Sequence, residues 1–303
     1  MSTPREESRD DPQRRITHHA SHAQSSHSHH DRRRQRHIRG HNTLMAQNQL
    51  FDLTGQVALV TGAGSGLGRD AARAYAASGA AVALLDVNTD GINALERELT
   101  DAGHRALAIT TDVASEEQVR DAIDTAKETL GDIDIVLNDA GIFARDSAET
   151  FTDEEWDRVF AVNLKSILLT TRYVIDGFKA RGYGKIVNIS SVNARYVEAD
   201  DTYVRDSYYS SKAAVLGLTR ALAARYAKYG VTVNAIGPGL FKTGITANNF
   251  EAEGFAEAYN KVNPSGRYGR DGELNGTVLF LSSHASDYVQ GQFIIVDGGY
   301  SLV

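Results

Sequence analysis

The chain has no cysteine, which excludes disulfide cross-links and thiolate metal ligands. No apolar run reaches the roughly 18 residues that a membrane span requires. The N-terminus lacks the apolar core of a secretory signal. These absences make the cytoplasm the expected location and a membrane partner unexpected. Basic residues are not in excess either: 32 Lys and Arg stand against 39 Asp and Glu, a net charge of −7. That average hides a split. Residues 1–44 carry nine Arg, no Lys and five acids, a formal +4, and the remainder carries −11. An acidic body argues against binding along a phosphate backbone, so no nucleic-acid partner is expected.

Methionine is also scarce, at Met1 and Met45 only. Residues 1–44 hold eight of the ten His, many Ser and few large apolar residues. Such a segment cannot bury enough surface to offset its ordering entropy, and disorder is expected. His18, His19, His22, His27, His29 and His30 can bind metal opportunistically, and Arg32, Arg33 and Arg34 can touch nucleic acid. A solvated tail without a specific role is the simpler reading. Starting at Met45 leaves 259 residues, a length that suits one α/β domain. The expectation is that translation begins there and that 45–303 is a single catalytic domain. An intact-mass measurement on the native protein tests this.

Hydrophobic residues make up 42% and charged residues 23%, ordinary for a soluble globular protein. From Gln56 onward, short apolar runs alternate with longer amphipathic stretches. The runs are Val57–Thr61, Ala81–Leu85, Ala106–Thr110, Ile133–Asn138, Lys185–Ile189, Thr232–Ile236 and Phe293–Val296. Most are rich in Val, Ile, Leu or Ala with little alternation, as strands covered on both faces should be. Helices are expected over Arg69–Ser78, Ile92–Ala102, Glu116–Leu130, Glu154–Arg181, Ser207–Tyr229 and Asp271–Ser282. Alternation of this kind predicts a parallel sheet with helices on both sides.

The first strand runs into Thr61-Gly62-Ala63-Gly64-Ser65-Gly66-Leu67-Gly68 and then a helix. Glycines there let the backbone turn tightly and approach a pyrophosphate. The helix N-terminus offers free N–H groups and a positive dipole end to the phosphates. Gly62, Ser65, Gly66, Leu67 and Gly68 are therefore candidate cofactor contacts. Asp86 ends the second strand, 18 positions beyond Gly68. A carboxylate there can accept both ribose hydroxyls of adenosine and repels a 2′-phosphate, so NAD is the expected cofactor. No Arg or Lys lies at 87–91 to attract that phosphate. Asp112 and Val113 follow the third strand and can meet the adenine, although Asp112 can equally cap the helix starting near Ser115.

Tyr208 and Lys212 lie four apart in Tyr208-Tyr209-Ser210-Ser211-Lys212. On a helix they share one face, one turn apart. A nearby ammonium favours the phenolate and lowers the pKa of the tyrosine, which suits general acid-base work near neutral pH. The spacing alone is common. Its position downstream of a glycine-rich nucleotide loop and a serine pair gives it weight.

With these residues in hand, the chain resembles the short-chain dehydrogenase/reductase family over roughly residues 50–303. The motifs appear in family order: Thr61-Gly62-x-x-x-Gly66-x-Gly68, Asn138-Asp139-Ala140-Gly141, Asn163, Ser190-Ser191, Tyr208-x-x-x-Lys212, Pro238-Gly239 with Thr243, and Asp297-Gly298-Gly299. The resemblance implies a doubly wound Rossmann fold with about seven parallel strands. It implies that Tyr208 is the acid-base residue and that Lys212 binds the nicotinamide ribose and lowers the Tyr208 pKa. Ser191 would hydrogen-bond the substrate oxygen, and Asn163 would hold a water in a proton relay to Lys212. Pro238, Gly239 and Thr243 would position the nicotinamide, while Asn138, Ala140 and Gly141 would line the adenosine side. Ser190 is the rival to Ser191. Trp156 reads as core packing, and Gly182 and Gly184 as turn residues.

Two features depart from the family pattern. Asp139 stands where a second Asn is usual, and the interval from Ser191 to Tyr208 is longer than expected, with the extra residues at 193–206. That loop carries Arg195, Arg205, Glu198, Asp200, Asp201 and Asp206, with Tyr196 and Tyr203. The stretches Asn234–Thr243 and Pro264–Gly269 resemble family members acting on sugar acids, such as gluconate 5-dehydrogenase. Arg195, Arg205, Lys242 or Arg267 can hold a substrate carboxylate, or are plain surface charges. The expected reaction is hydride transfer between NAD(H) and a secondary alcohol or ketone. A 3-oxoacyl-carrier-protein reductase and a non-catalytic nucleotide sensor are the alternatives. The resemblance also implies a homotetramer or homodimer formed through the helices at 154–181 and 207–229.

Overall fold

The computed structural model describes residues 49–197, 204–244, 246, 250 and 254–303. The 1–44 tail, Met45 and the loop residues Glu198, Asp200, Asp201 and Tyr203 lie outside the described residues. Among the described residues, seven strands form one sheet: β1 Val57–Thr61, β2 Ala81–Asp86, β3 Ala106–Thr110, β4 Ile135–Asn138, β5 Gly184–Ile189, β6 Val231–Pro238 and β7 Phe293–Val296. Their order is β3-β2-β1-β4-β5-β6-β7, with every neighbour parallel. Leu50–Val303 forms one compact unit.

The strands read as unbroken apolar runs because both faces are covered. Val57 and Leu59 of β1 enter a core on one side, with Val119, Ile123, Phe178 and Val215. Ala58 and Val60 enter a second core on the other side, with Tyr75, Ile92, Leu95 and Leu281. Successive side chains of a strand point to opposite faces, so an apolar residue is required at every position. The outer strands β3 and β7 are only partly buried.

The helices are α1 Gly66–Ala77, α2 Thr89–Asp101, α3 Glu116–Leu130, α4 Asp153–Phe160, α5 Ser166–Arg181, α6 Asp206–Tyr226, α7 Phe255–Val262 and α8 Asn275–Ser282. Their starts follow local chemistry. Asn88 caps α2 through the Gly91 N–H at 3.0 Å, and Thr152 caps α4 through the Glu155 N–H at 3.2 Å. Ser115 caps α3 through the Gln118 N–H. Capping of that helix is thus the work of Ser115, not Asp112.

Two helical expectations need correction. The stretch Glu154–Arg181 is not one helix: a wide π turn over Ala161–Lys165 separates α4 from α5. Such insertions often re-aim a side chain at a functional site, and this one carries Asn163. The helix expected from Asp271 begins only at Asn275, because Glu273 folds back to accept the Arg270 N–H and the Arg267 guanidinium. Helix α7 was not expected, although Phe255, Tyr259 and Val262 recur at helical spacing. Gly182 takes a left-handed φ of 71° after α5. Gly184, by contrast, opens β5 against the Phe178 ring, where any Cβ would collide.

Parallel strand order reverses between β1 and β4, which both leave their C-terminal ends at the same edge. In open α/β sheets the ligand crevice lies at such a switch point. The β1–β4 register pairs Thr61 with Asn138, so the glycine loop and Asp139-Ala140-Gly141 emerge side by side.

Candidate active site

A single cleft along the C-terminal strand ends draws together most of the residues singled out in the sequence. Gly62, Ser65, Gly66, Leu67, Asp86, Asp112, Val113, Ala140, Gly141, Ser191, Tyr208, Lys212, Pro238, Gly239 and Thr243 all line it. Gly68 sits just behind the loop. Its missing side chain is required there, since a Cβ would run into the Gly62 carbonyl and lie 2.7 Å from Asp139 Oδ2. Gly62 adopts a left-handed φ of 76°, and a Cβ on it would lie 2.9 Å from Ala140 N. The cradle is thus shaped for a chain-like ligand that approaches the backbone, as a dinucleotide pyrophosphate does. The residues present fit that group.

At the adenosine end, Asp86 is fixed by two backbone donors, Gly64 N at 2.9 Å and Asn88 N at 2.8 Å. Asp112 accepts Arg158 Nη1 at 3.0 Å and the Ala114 N–H at 2.9 Å. Burial acts to raise the Asp112 pKa, but these two donors outweigh it and hold the carboxyl below its ordinary value. Arg158 also lines the cleft and was missed in the sequence. Nothing local marks it, because its role follows from a contact with Asp112, 46 positions away.

At the other end, the first turn of α6 carries Tyr208 and the second carries Lys212. The Lys212 ammonium donates to the Ile189 carbonyl at 2.9 Å and lies 5.8 Å from the centre of the Tyr208 ring. The Ser191 hydroxyl lies close enough to the Tyr208 phenol to pull its pKa down; its hydrogen bonds go to Asn193, donating to Oδ1 at 3.3 Å and accepting the N–H at 3.1 Å. Ser190 instead donates to the Lys212 carbonyl at 2.8 Å. The serine pair is therefore divided: one hydroxyl ties β5 to α6, and the other faces Tyr208.

The sequence expectation for Tyr208 needs correction. Burial pushes the phenol above its ordinary value; Ser191 and Arg205 pull it down, and Asp139 pushes it up. The lowering expected from Lys212 is not what the structure shows. Lys212 is itself buried, which brings its pKa down to about 8 against the opposing pull of Asp139. Lys212 is not among the groups that shift the Tyr208 phenol.

Asn163 does not present a free amide to the cleft. Its Oδ1 accepts the Ile142 N–H at 2.8 Å, and its Nδ2 donates to the Ile142 carbonyl at 2.9 Å and Ser211 Oγ at 3.0 Å. It clamps the strand end of Gly141-Ile142 onto α6. Asn138 is likewise drawn inward, donating to Asn188 Oδ1 at 2.9 Å and accepting from Thr170 Oγ1 at 2.8 Å. Its side chain therefore does not line the adenosine side. Of the candidate substrate cations, Arg195 lies 5.1 Å over the Phe293 ring and outside the cleft wall. Arg267 is bound bidentately by Glu273. Lys242 is exposed. Arg205 stands at the start of α6, 5.5 Å over the Phe143 ring, and its charge reaches Tyr208. Trp156 is only partly buried, stacked 4.6 Å from Phe160, and takes no part in the cleft.

Residues 62–301 match the family sequence model described as enoyl-(acyl carrier protein) reductase. The chain belongs to the short-chain dehydrogenase/reductase family. It is an oxidoreductase of that family acting on CH–OH groups. It is 34% identical to gluconate 5-dehydrogenase of Gluconobacter oxydans, over 85% of this chain and 99% of that protein. It is 36% identical to 2-dehydro-3-deoxy-D-gluconate 5-dehydrogenase of Bacillus subtilis, over 82% and 96%. Among solved structures it is similar to a gluconate 5-dehydrogenase from Burkholderia cenocepacia in complex with NADP and tartrate. That match has a TM-score of 0.80 at 36% identity, covering 85% of this chain and all of the other.

Proposed function

We propose that this short-chain dehydrogenase/reductase is NAD(H)-dependent and interconverts a secondary alcohol and its ketone on a sugar acid or polyol. The observation that carries the reading is the pairing of Tyr208 with Ser191 beside buried Lys212, at the far end of a cleft that begins at Asp86. The bound nicotinamide supplies or accepts the hydride. Gly62, Gly66 and the α1 N-terminus hold its phosphates, and Asp86 takes the ribose hydroxyls. Lys212 reaches the second ribose, and Pro238, Gly239 and Thr243 bound the ring. The Tyr208 phenol, kept protonated by burial, gives its proton to the carbonyl oxygen during reduction and takes it back during oxidation. Ser191 donates to the same oxygen as charge develops; losing one such donor typically costs about 3 kcal/mol. Asn163 acts by holding Ile142 and Ser211 in place around Lys212.

A sugar-acid or polyol substrate draws support from the relatives named gluconate and deoxygluconate dehydrogenases and from the tartrate in a similar structure. Arg205 is the cation best placed to meet a substrate carboxylate near Tyr208. A second reading is reduction of an acyl-carrier-bound 3-oxo group; the family model's description shares only the acyl carrier with it, naming an enoyl substrate, and Asp86 weighs against it because that chemistry usually runs on NADPH. Initial rates with NAD⁺ and NADP⁺ over gluconate, related sugar acids, polyols and hydroxyacyl thioesters discriminate the two. Turnover confined to thioesters with NADPH would overturn the first reading. Assembly through α5 and α6 into a dimer or tetramer fits their outer faces, where Leu168, Ala213, Gly217 and Ala221 are exposed. Light scattering after size exclusion should give two or four subunits, and a monomer refutes it.

A further inference from the structure

Asp139 replaces the asparagine usual at its position, and the reaction above gives it no task. Its carboxylate lies in the cleft wall behind the nucleotide loop. Oδ2 would be 2.7 Å from a Cβ on Gly68 and 3.1 Å from one on Gly62, and the nearby Gly68 N–H pulls on the carboxyl, favouring its charged form. Gly68 is the third residue of α1, so this N–H is one of the four without a helical partner. The N-cap residue Ser65 makes no side-chain cap, and the first turn of α1 holds no acid. The Asp139 carboxylate, just past the end of β4, is the acid that stands beside this helix end. Its own backbone is pinned, since Asp139 N and Ala140 N both donate to Thr61 Oγ1, at 3.1 and 3.2 Å. A pyrophosphate on the glycine loop would draw on the same N–H groups and the same dipole end. Two anions would then share one positive terminus.

The geometry points to Asp139 as a proton-linked positioning residue for the dinucleotide: its carboxylate takes up a proton when a pyrophosphate seats on the α1 N-terminus, and affinity falls as pH rises above neutrality. This rests on the dinucleotide reading of the cleft. The charges facing Asp139 agree with it. Lys212 on α6 favours the carboxylate, while Asp86 on β2 and Asp70 on α1 disfavour it, and the Tyr75 and Tyr208 phenols are its uncharged neighbours. Burial raises the Asp139 pKa to about 7, against Lys212 and the Gly68 N–H. An arriving pyrophosphate adds negative charge and pushes it higher, so protons are taken up from about pH 7 upward.

The test is calorimetric titration of the full chain with ADP-ribose between pH 6 and 8.5, in two buffers of different ionisation enthalpy. The wild type should take up a fraction of a proton and lose about tenfold in affinity, which corresponds to one unit of pKa coupling. Asp139→Asn keeps an oxygen for the Gly68 N–H and should show neither effect, binding more tightly than the wild type at pH 8.5. Adenosine, which lacks phosphates, should bind the wild type without pH dependence. Equal proton uptake in both proteins assigns it to Lys212 and overturns the inference. Absence of ADP-ribose binding at every pH overturns the dinucleotide reading itself. Melting curves give a ligand-free check. A carboxyl raised from 3.8 to about 7 on folding makes the wild type lose stability against Asp139→Asn as pH climbs from about 4 to 7, with a constant gap above that. A gap that does not change with pH contradicts the inference.

Discussion

Replacing Asp86 by Asn removes one charge from the adenosine end and little else. In the structure the two carboxylate oxygens are already committed to Gly64 N and Asn88 N, at 2.9 and 2.8 Å. The carboxylate therefore cannot swing away from an added phosphate without giving up both bonds. A 2′-phosphate held roughly 5 Å from it costs about 3 kcal/mol per unit charge at an effective dielectric near 20. That is about a hundredfold in relative kcat/KM. No Lys or Arg at 87–91 offsets the repulsion. The wild type should accordingly prefer NAD⁺ over NADP⁺ by about two orders of magnitude. Asp86→Asn retains one acceptor for the loop and should erase most of that preference. Initial rates with both cofactors measure it, and raising the ionic strength should narrow the wild-type preference, because an exposed repulsion is screened. A similar structure holds NADP, so the outcome is not foregone. A wild type that uses NADP⁺ equally well, or an Asp86→Asn ratio unchanged within a factor of two, refutes the reasoning.

Gly68→Ala places a Cβ against the Gly62 carbonyl and Asp139; dinucleotide affinity should fall sharply and stability by about 1–3 kcal/mol, read by fluorescence titration and thermal melting. Asn163→Ala leaves the Ile142 N–H and carbonyl and Ser211 without their partner, and should cost about 2–4 kcal/mol in denaturant unfolding, together with activity. Arg205→Ala withdraws a charge that lowers the Tyr208 pKa. The phenolate becomes harder to form, so the rise of the oxidation rate with pH should move to higher pH, by about half to one unit. A profile that stays put or moves to lower pH would show that Arg205 does not act on the phenol.

Much of this was legible in the chain. The inner strands were readable because both their faces are covered, which demands continuous apolar runs such as Val57–Thr61 and Ala81–Leu85, and the half-buried outer strands β3 and β7 kept enough apolar residues to be read as well. The cleft residues were readable because glycine loops, Tyr208 and Lys212 carry chemistry in their spacing. What the sequence hid was set by tertiary packing. The π turn at Asn163 depends on a clamp to Ile142, 21 positions away. The Asp112–Arg158 pair joins residues 46 apart. The Tyr208 pKa direction depends on burial, which spacing on a helix does not report. Helix α7 was legible in Phe255, Tyr259 and Val262, but the apolar face of so short a helix carries a weak signal. The expectation that Asn138 lines the adenosine side failed because Thr170 and Asn188, on other elements, satisfy its amide first.

The central claim is that the Tyr208 phenol exchanges the substrate proton in the company of Ser191 and Lys212. The most direct test is single-turnover reduction by Tyr208→Phe, with NADH binding measured on the same preparation. The account predicts unchanged NADH affinity and a hydride-transfer rate lower by about 10²–10⁴-fold. A folded, NADH-saturated variant that turns over at the parent rate would contradict it.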